Sequence, residues 1–151
     1  NNLISGTINV NNSYLELVKI TNEKVVNDNN IIVSAGGGLI TSNMFSTDVK
    51  TKFKNLTLGR NATSLNKSSF SIGDGNDKYY GTTFIDGNLT FNGLTTVNIT
   101  DEIFPSYGTF ILFEYTGTCT NFHNLNVVST LGYATRVNHE PVMKRIYLTL
   151  G

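Results

Sequence analysis

Apolar residues recur at every second position along most of this chain, with polar residues between them. Ile8 and Val10, Leu56 and Leu58, Phe70 and Ile72, Leu89 and Phe91, and Val97 and Ile99 follow the rule, as do Ile111, Phe113 and Tyr115 and the closing Ile146, Leu148 and Leu150. A period of two belongs to a strand with one buried face, because successive side chains leave a strand on opposite sides. Turn-forming clusters stand between the runs: Asn27-Asp28-Asn29-Asn30, Gly36-Gly37-Gly38, Gly73-Asp74-Gly75-Asn76-Asp77, Asp86-Gly87-Asn88, Asn92-Gly93, Pro105-Ser106-Tyr107-Gly108 and Thr116-Gly117. About a dozen short strands with turns roughly every 8–12 residues predict an all-β domain. The best helical candidate, Ser46 to Lys54, fails because Lys50, Lys52 and Lys54 alternate around Thr51 and Phe53.

A sandwich, a closed barrel and a β-solenoid share this pattern. Asn55-Leu56-Thr57-Leu58-Gly59 is echoed by Asn88-Leu89-Thr90-Phe91-Asn92-Gly93, and again by Tyr147-Leu148-Thr149-Leu150-Gly151. Repeated strand–turn units, none able to bury its own face, are what stacked rungs require. Composition points the same way, since Asn and Thr each supply about an eighth of the chain, roughly three times ordinary usage. Asn side chains at the turns of a stack can hydrogen-bond from rung to rung, and Thr suits outward strand positions. Only 15% of residues are charged, as expected where like charges stacked one strand spacing apart would repel. The predicted fold is a parallel β-helix (β-solenoid) with a C-terminal antiparallel capping portion, as one domain over residues 1–151; a jelly-roll β-sandwich is the alternative. Rungs of about 20–25 residues would give some six coils.

Charge also excludes partners. Eleven Lys and Arg balance eleven Asp and Glu, so no basic surplus is available for nucleic acid or for anionic lipid. One cysteine, Cys119, allows no intrachain disulfide, and two histidines supply no zinc cluster. No apolar run reaches the length of about 18 residues that spans a bilayer. The chain starts at Asn1 without Met, as a processed product or fragment would.

The candidate chemistry is sparse. Gly73-Asp74-Gly75-Asn76-Asp77-Lys78-Tyr79 reads first as a tight turn and second as half of a calcium site, with Asp74 and Asp77 as ligands. Glycoside cleavage needs paired carboxylates, and Asp74, Asp77, Asp86, Asp101 and Glu102 include no pair at strand spacing. Cys119 and His123 do not share a face as nucleophile and base would, so Cys119 reads as a partly buried, inert thiol. His139 reads as a turn residue, and Gly36-Gly37-Gly38 as a bend or close approach of strands. Lys50, Lys52 and Lys54 read as the guard of an exposed edge. Six Asn-x-Ser/Thr sequons, at Asn11, Asn55, Asn61, Asn66, Asn88 and Asn98, are glycosylation candidates.

The stretches Ser69-Phe70-Ser71-Ile72-Gly73-Asp74-Gly75 and Thr82-Thr83-Phe84-Ile85-Asp86-Gly87-Asn88-Leu89-Thr90-Phe91, with Tyr107-Gly108-Thr109-Phe110-Ile111-Leu112-Phe113 beyond them, resemble the β-helical passenger domains of autotransporter-type surface proteins. Similar solenoid segments recur in virion spikes and tail fibres. The resemblance spans residues 55–151. It implies a non-catalytic structural subunit of an external assembly, a virion component or surface fibre, at the cell or virion surface, with no cofactor. Its implied partners are itself, as a trimer or axial stack, and neighbouring surface or capsid proteins. An adhesin whose Tyr79, Tyr80, Tyr107 or Tyr133 stacks on glycans is the alternative, and a polysaccharide-cleaving β-helix enzyme the second. The expected core is Leu56, Leu58, Phe70, Ile72, Leu89, Phe91, Val97, Ile99, Ile111, Phe113, Ile146 and Leu148.

Overall fold

A computed structural model describes residues 6–19, 29–34, 37–43, 51–59, 62–66, 83–99, 108–129, 132 and 134–151. The alternating runs become strands, and the strands assort into three sheets. Sheet A holds β1 (Gly6–Val10), β3 (Asn29–Val33), β6 (Asn55–Leu58), β9 (Leu89–Phe91) and β12 (Cys119–Thr120). Sheet B holds β2 (Tyr14–Lys19), β4 (Gly38–Asn43), β7 (Ala62–Asn66), β10 (Thr95–Ile99) and β13 (Leu125–Ser129). Sheet C holds β5 (Thr51–Phe53), β8 (Thr83–Ile85), β11 (Gly108–Tyr115), β15 (Arg145–Leu150) and β14 (Thr135–Glu140), in that spatial order.

From β3 to β14 the chain visits sheets A, B and C in rotation, and up to β13 each return lays a strand beside the previous one in that sheet and parallel to it. Parallel pairing throughout sheets A and B sets aside the jelly-roll alternative, whose sheets are antiparallel. Register then brings like residues into columns. Ile8, Ile31, Leu56, Leu89 and Cys119 form one column of sheet A, and Val10, Val33, Leu58 and Phe91 another. The echo of Asn55-Leu56-Thr57-Leu58 in Asn88-Leu89-Thr90-Phe91 is therefore a spatial one, since β6 and β9 are neighbours with Leu56 opposite Leu89. Tyr147-Leu148-Thr149-Leu150 shares only the alternation, because β15 lies in sheet C and runs antiparallel to its neighbours.

These columns are the core. Ile31, Val33, Phe53, Leu56, Leu58, Ile85, Leu89, Phe91, Ile146 and Leu148 are all fully buried, and Phe91 meets Phe113 edge-on with ring centroids 6.1 Å apart. Each such side chain contributes about 1.5–3 kcal/mol through the apolar surface it removes from water. The turns between strands lie close under the neighbouring level. A Cβ on Gly37 would stand 2.5 Å from the Val10 carbonyl oxygen, so the bend expected at Gly36-Gly37-Gly38 is also a close approach at Gly37.

Three expectations change. Residues that face each other across sheet A are separated by 23 residues (Ile8 to Ile31), 25 (Ile31 to Leu56), 33 (Leu56 to Leu89) and 30 (Leu89 to Cys119), so the spacing runs beyond the expected 20–25 residues, and among the described residues each sheet has five strands. Ile111 is only half-buried, because a bulge between Ile111 and Phe113 shifts the register of β11 against β15. The extra residue lets Phe110 and Leu112 face inward before the bulge and Phe113 and Tyr115 after it. His139 is no turn residue: it lies in β14, and residues 141–144 make the turn instead. Of the expected core, Phe70 and Ile72 lie outside the described residues, and β10 contains Ile99.

The C-terminal end is antiparallel, as expected. β15 pairs with β11 on one side and with β14 on the other. Arg145 sits opposite Glu114 across the first pair, its Nε 2.9 Å from Glu114 Oε2, and both side chains are largely buried. Among the described residues β5 is the outermost strand of sheet C on the other side, and Lys54 beside it is exposed. Lys50 lies outside the described residues.

Candidate functional site

Two arrangements of side chains stand out. The first is a polar ladder across the beginnings of four strands of sheet A, β3, β6, β9 and β12. Asn55 Nδ2 donates to Asn30 Oδ1 at 2.7 Å, and the Asn88 backbone N–H donates to Asn55 Oδ1 at 2.8 Å. Asn88 Oδ1 in turn accepts from the Thr118 N–H at 3.0 Å and from its hydroxyl at 3.2 Å. Four neighbouring strands are thereby joined through side-chain amides, from Asn30 and Asn55 at the beginnings of β3 and β6 and from Asn88 just before β9. The glycines before Asn88 and Thr118 make room for it. A Cβ on Gly87 would collide with the Lys54 carbonyl and Asn55 Oδ1, and one on Gly117 with Asn88 Oδ1.

The second arrangement lies where β11, β12, β14 and the short 3₁₀ turn Phe122–Asn124 meet. The Tyr115 hydroxyl lies 2.6 Å from His139 Nε2, and the His139 ring packs against Phe122 with centroids 5.2 Å apart. Tyr115 is buried, and burial raises its pKa, with Cys119 and Glu140 adding in the same direction. Cys119 ends the apolar column of sheet A, half-buried, and burial pushes its thiol up to about 11. A thiol so raised stays protonated at neutral pH, so it is a poor nucleophile. His123 is exposed on the 3₁₀ turn. The inert-thiol reading of Cys119 fits this geometry. The His139 partnership escaped the sequence, because Tyr115 and His139 are 24 residues apart and nothing in their local patterns links them.

The remaining candidates fall as follows. Tyr79, Tyr80, Tyr107, Tyr133, Asp74, Asp77, Asp101 and Glu102 lie outside the described residues, as does Asn61. Among the described residues, no three His, Cys, Asp or Glu side chains gather as metal ligands would, and no helix is long and apolar enough to cross a membrane. Asp86 is exposed in a turn and accepts from the Thr116 hydroxyl at 3.2 Å. The sequons are not equivalent. Asn11 is exposed, Asn98 is half-buried in β10, and Asn66 ends β7. Glycosylation attaches through Nδ2, which Asn55 already commits to Asn30, whereas Asn88 commits its oxygen.

Compared with protein-family models, curated proteins and solved structures, the chain matches none.

Proposed function

We propose that the rotation of strands through sheets A, B and C is the winding of a parallel β-helix, and that the protein is a non-catalytic structural subunit of an external assembly. The observation that carries this reading is the ladder Asn30, Asn55, Asn88 and Thr118. Its side chains bond along the stacking direction, from strand to strand. The columns of Leu, Ile and Phe beneath it do the same with apolar surface. A chain organised in this way builds rigid length, and rigid length serves a spike, fibre or capsid component. Its partners are then copies of itself and neighbouring shell proteins, met through sheet edges and ends.

Native mass spectrometry and negative-stain imaging over a concentration series test this. Discrete oligomers or rods are the expected result. A monomer at every concentration overturns the reading, and release of products from a polysaccharide panel would replace it with an enzymatic one.

A further inference from the structure

We infer that β14 is a docking edge for a second copy of the chain, and that two copies join through antiparallel β14–β14 pairing centred on Asn138. The inference rests on the structural-subunit reading and specifies its contact. β14 is the outermost strand of sheet C, and among the described residues no strand pairs with its far side. Its pairing with β15 is regular over six residues, without bulge or proline.

The phase of that edge follows from one bond. The Gly151 N–H donates to the Ala134 carbonyl at 3.3 Å, so the backbone groups of Ala134, and by alternation those of Arg136, Asn138 and Glu140, turn towards β15. Thr135, Val137 and His139 therefore direct their amides and carbonyls outward. Side chains divide the other way: Val137 packs on the core and His139 reaches Tyr115, while Arg136 and Asn138 are exposed on the opposite face.

A two-fold axis at Asn138 sets Val137 against His139 of the second copy, where the outward backbone groups meet and exchange hydrogen bonds. It sets Arg136 against Glu140 of the second copy, and Glu140 against Arg136, at the non-hydrogen-bonded positions where side chains approach most closely. Sliding one strand by two residues in either direction leaves Arg136 and Glu140 without an opposite charge to face, and sliding it by four opposes Arg136 to Arg136 or Glu140 to Glu140. Charge thus selects one register. Glu140 Oε1 accepts from the Val142 N–H at 2.9 Å, which holds the carboxylate at the end of the strand with its second oxygen available.

Sedimentation velocity of the full chain over a concentration series tests this, with far-UV circular dichroism as the control for folding. The expected result is a reversible dimer that weakens as salt is raised. Arg136→Glu and Asn138→Lys, both at exposed positions, should each weaken dimerisation roughly tenfold or more by opposing like charges. Arg136→Glu combined with Glu140→Arg should restore it. Folded single variants that dimerise as the wild type does, or a folded double variant that fails to recover, overturn the β14 edge. An assembly indifferent to all three leaves the structural reading standing and removes this contact. A wild-type chain that stays monomeric removes both.

Discussion

Asn55 links the levels above and below it, so replacing it measures what the ladder is worth. Asn55→Ala deletes the donor to Asn30 Oδ1 and the acceptor for the Asn88 N–H, at 2.7 and 2.8 Å. A net hydrogen bond contributes about 0.5–1.5 kcal/mol. Asn55 is half-buried and Asn88 exposed, so water can reach part of what is lost, and the expected destabilisation is about 1–2 kcal/mol. Leu56→Ala, one residue on and fully buried, should cost more, about 2–5 kcal/mol. The exposed Asn126→Ala should stay within about 0.5 kcal/mol. Asn55→Asp separates the two bonds. Its carboxylate still accepts from Asn88 but faces Asn30 Oδ1, acceptor to acceptor. The charged form is thereby disfavoured in the folded state, and the folded pKa rises above the unfolded value of about 3.9. The variant therefore approaches wild-type stability below about pH 4 and loses ground as pH rises through its folded pKa. The chain has no Trp, so urea unfolding followed by far-UV circular dichroism is the assay, at about pH 3.5, below the ordinary carboxyl value of about 3.9, and at about pH 7, well above it. An Asn55→Asp variant as stable as wild type at pH 7 would show that Asn30 presents its nitrogen instead, refuting the direction of the ladder.

Cys119 gives a second test. Its pKa rises from an ordinary 9.0 to about 11 on folding, so the stability it lends is fully present below pH 9 and is lost as pH climbs towards about 11. Alkylation by iodoacetamide at pH 8 should be far slower in the native chain than in urea; equal rates would mean that the thiol is not held as described. Gly87→Ala should destabilise by about 1–3 kcal/mol or more, because the new methyl meets the Lys54 carbonyl. Thermal melts decide it, and an unchanged midpoint would mean that this corner is not tightly packed.

The alternation of Leu56, Leu58, Leu89 and Phe91 was legible because polar residues between them fix which face is inward, and all four are buried. The same pattern misplaced Ile111. Phe110-Ile111-Leu112-Phe113 is apolar throughout, so it carries no parity, and only pairing with β15 introduces the bulge that decides it. Thr83 and Thr95 are buried although polar. Thr95 manages this by donating its hydroxyl to the Gly93 carbonyl at 3.0 Å, a local bond that composition cannot announce. His139 followed by Glu140-Pro141 looks like a turn, yet proline fits there because the strand has just ended. Asn-rich corners suggested rung-to-rung bonding, and the register of β6 with β9 gives it a place. What the alternation could not show was the partner across levels, since that depends on how long each excursion between strands runs.

Those excursions also shape how order spreads along the chain. Facing residues in sheet A are 23 to 33 residues apart, whereas Glu140 and Arg145, facing each other in β14 and β15, are nearly adjacent in sequence. Closing the longer loops costs more entropy than closing the hairpin, by roughly 1.5 kcal/mol each. The C-terminal hairpin is thus the least expensive place for the chain to begin, and β11, pairing with β15 on one side and β8 on the other, passes that order to the parallel levels. Amide exchange should find its last-opening protons there, where a reversed strand serves as the template for those that run forward.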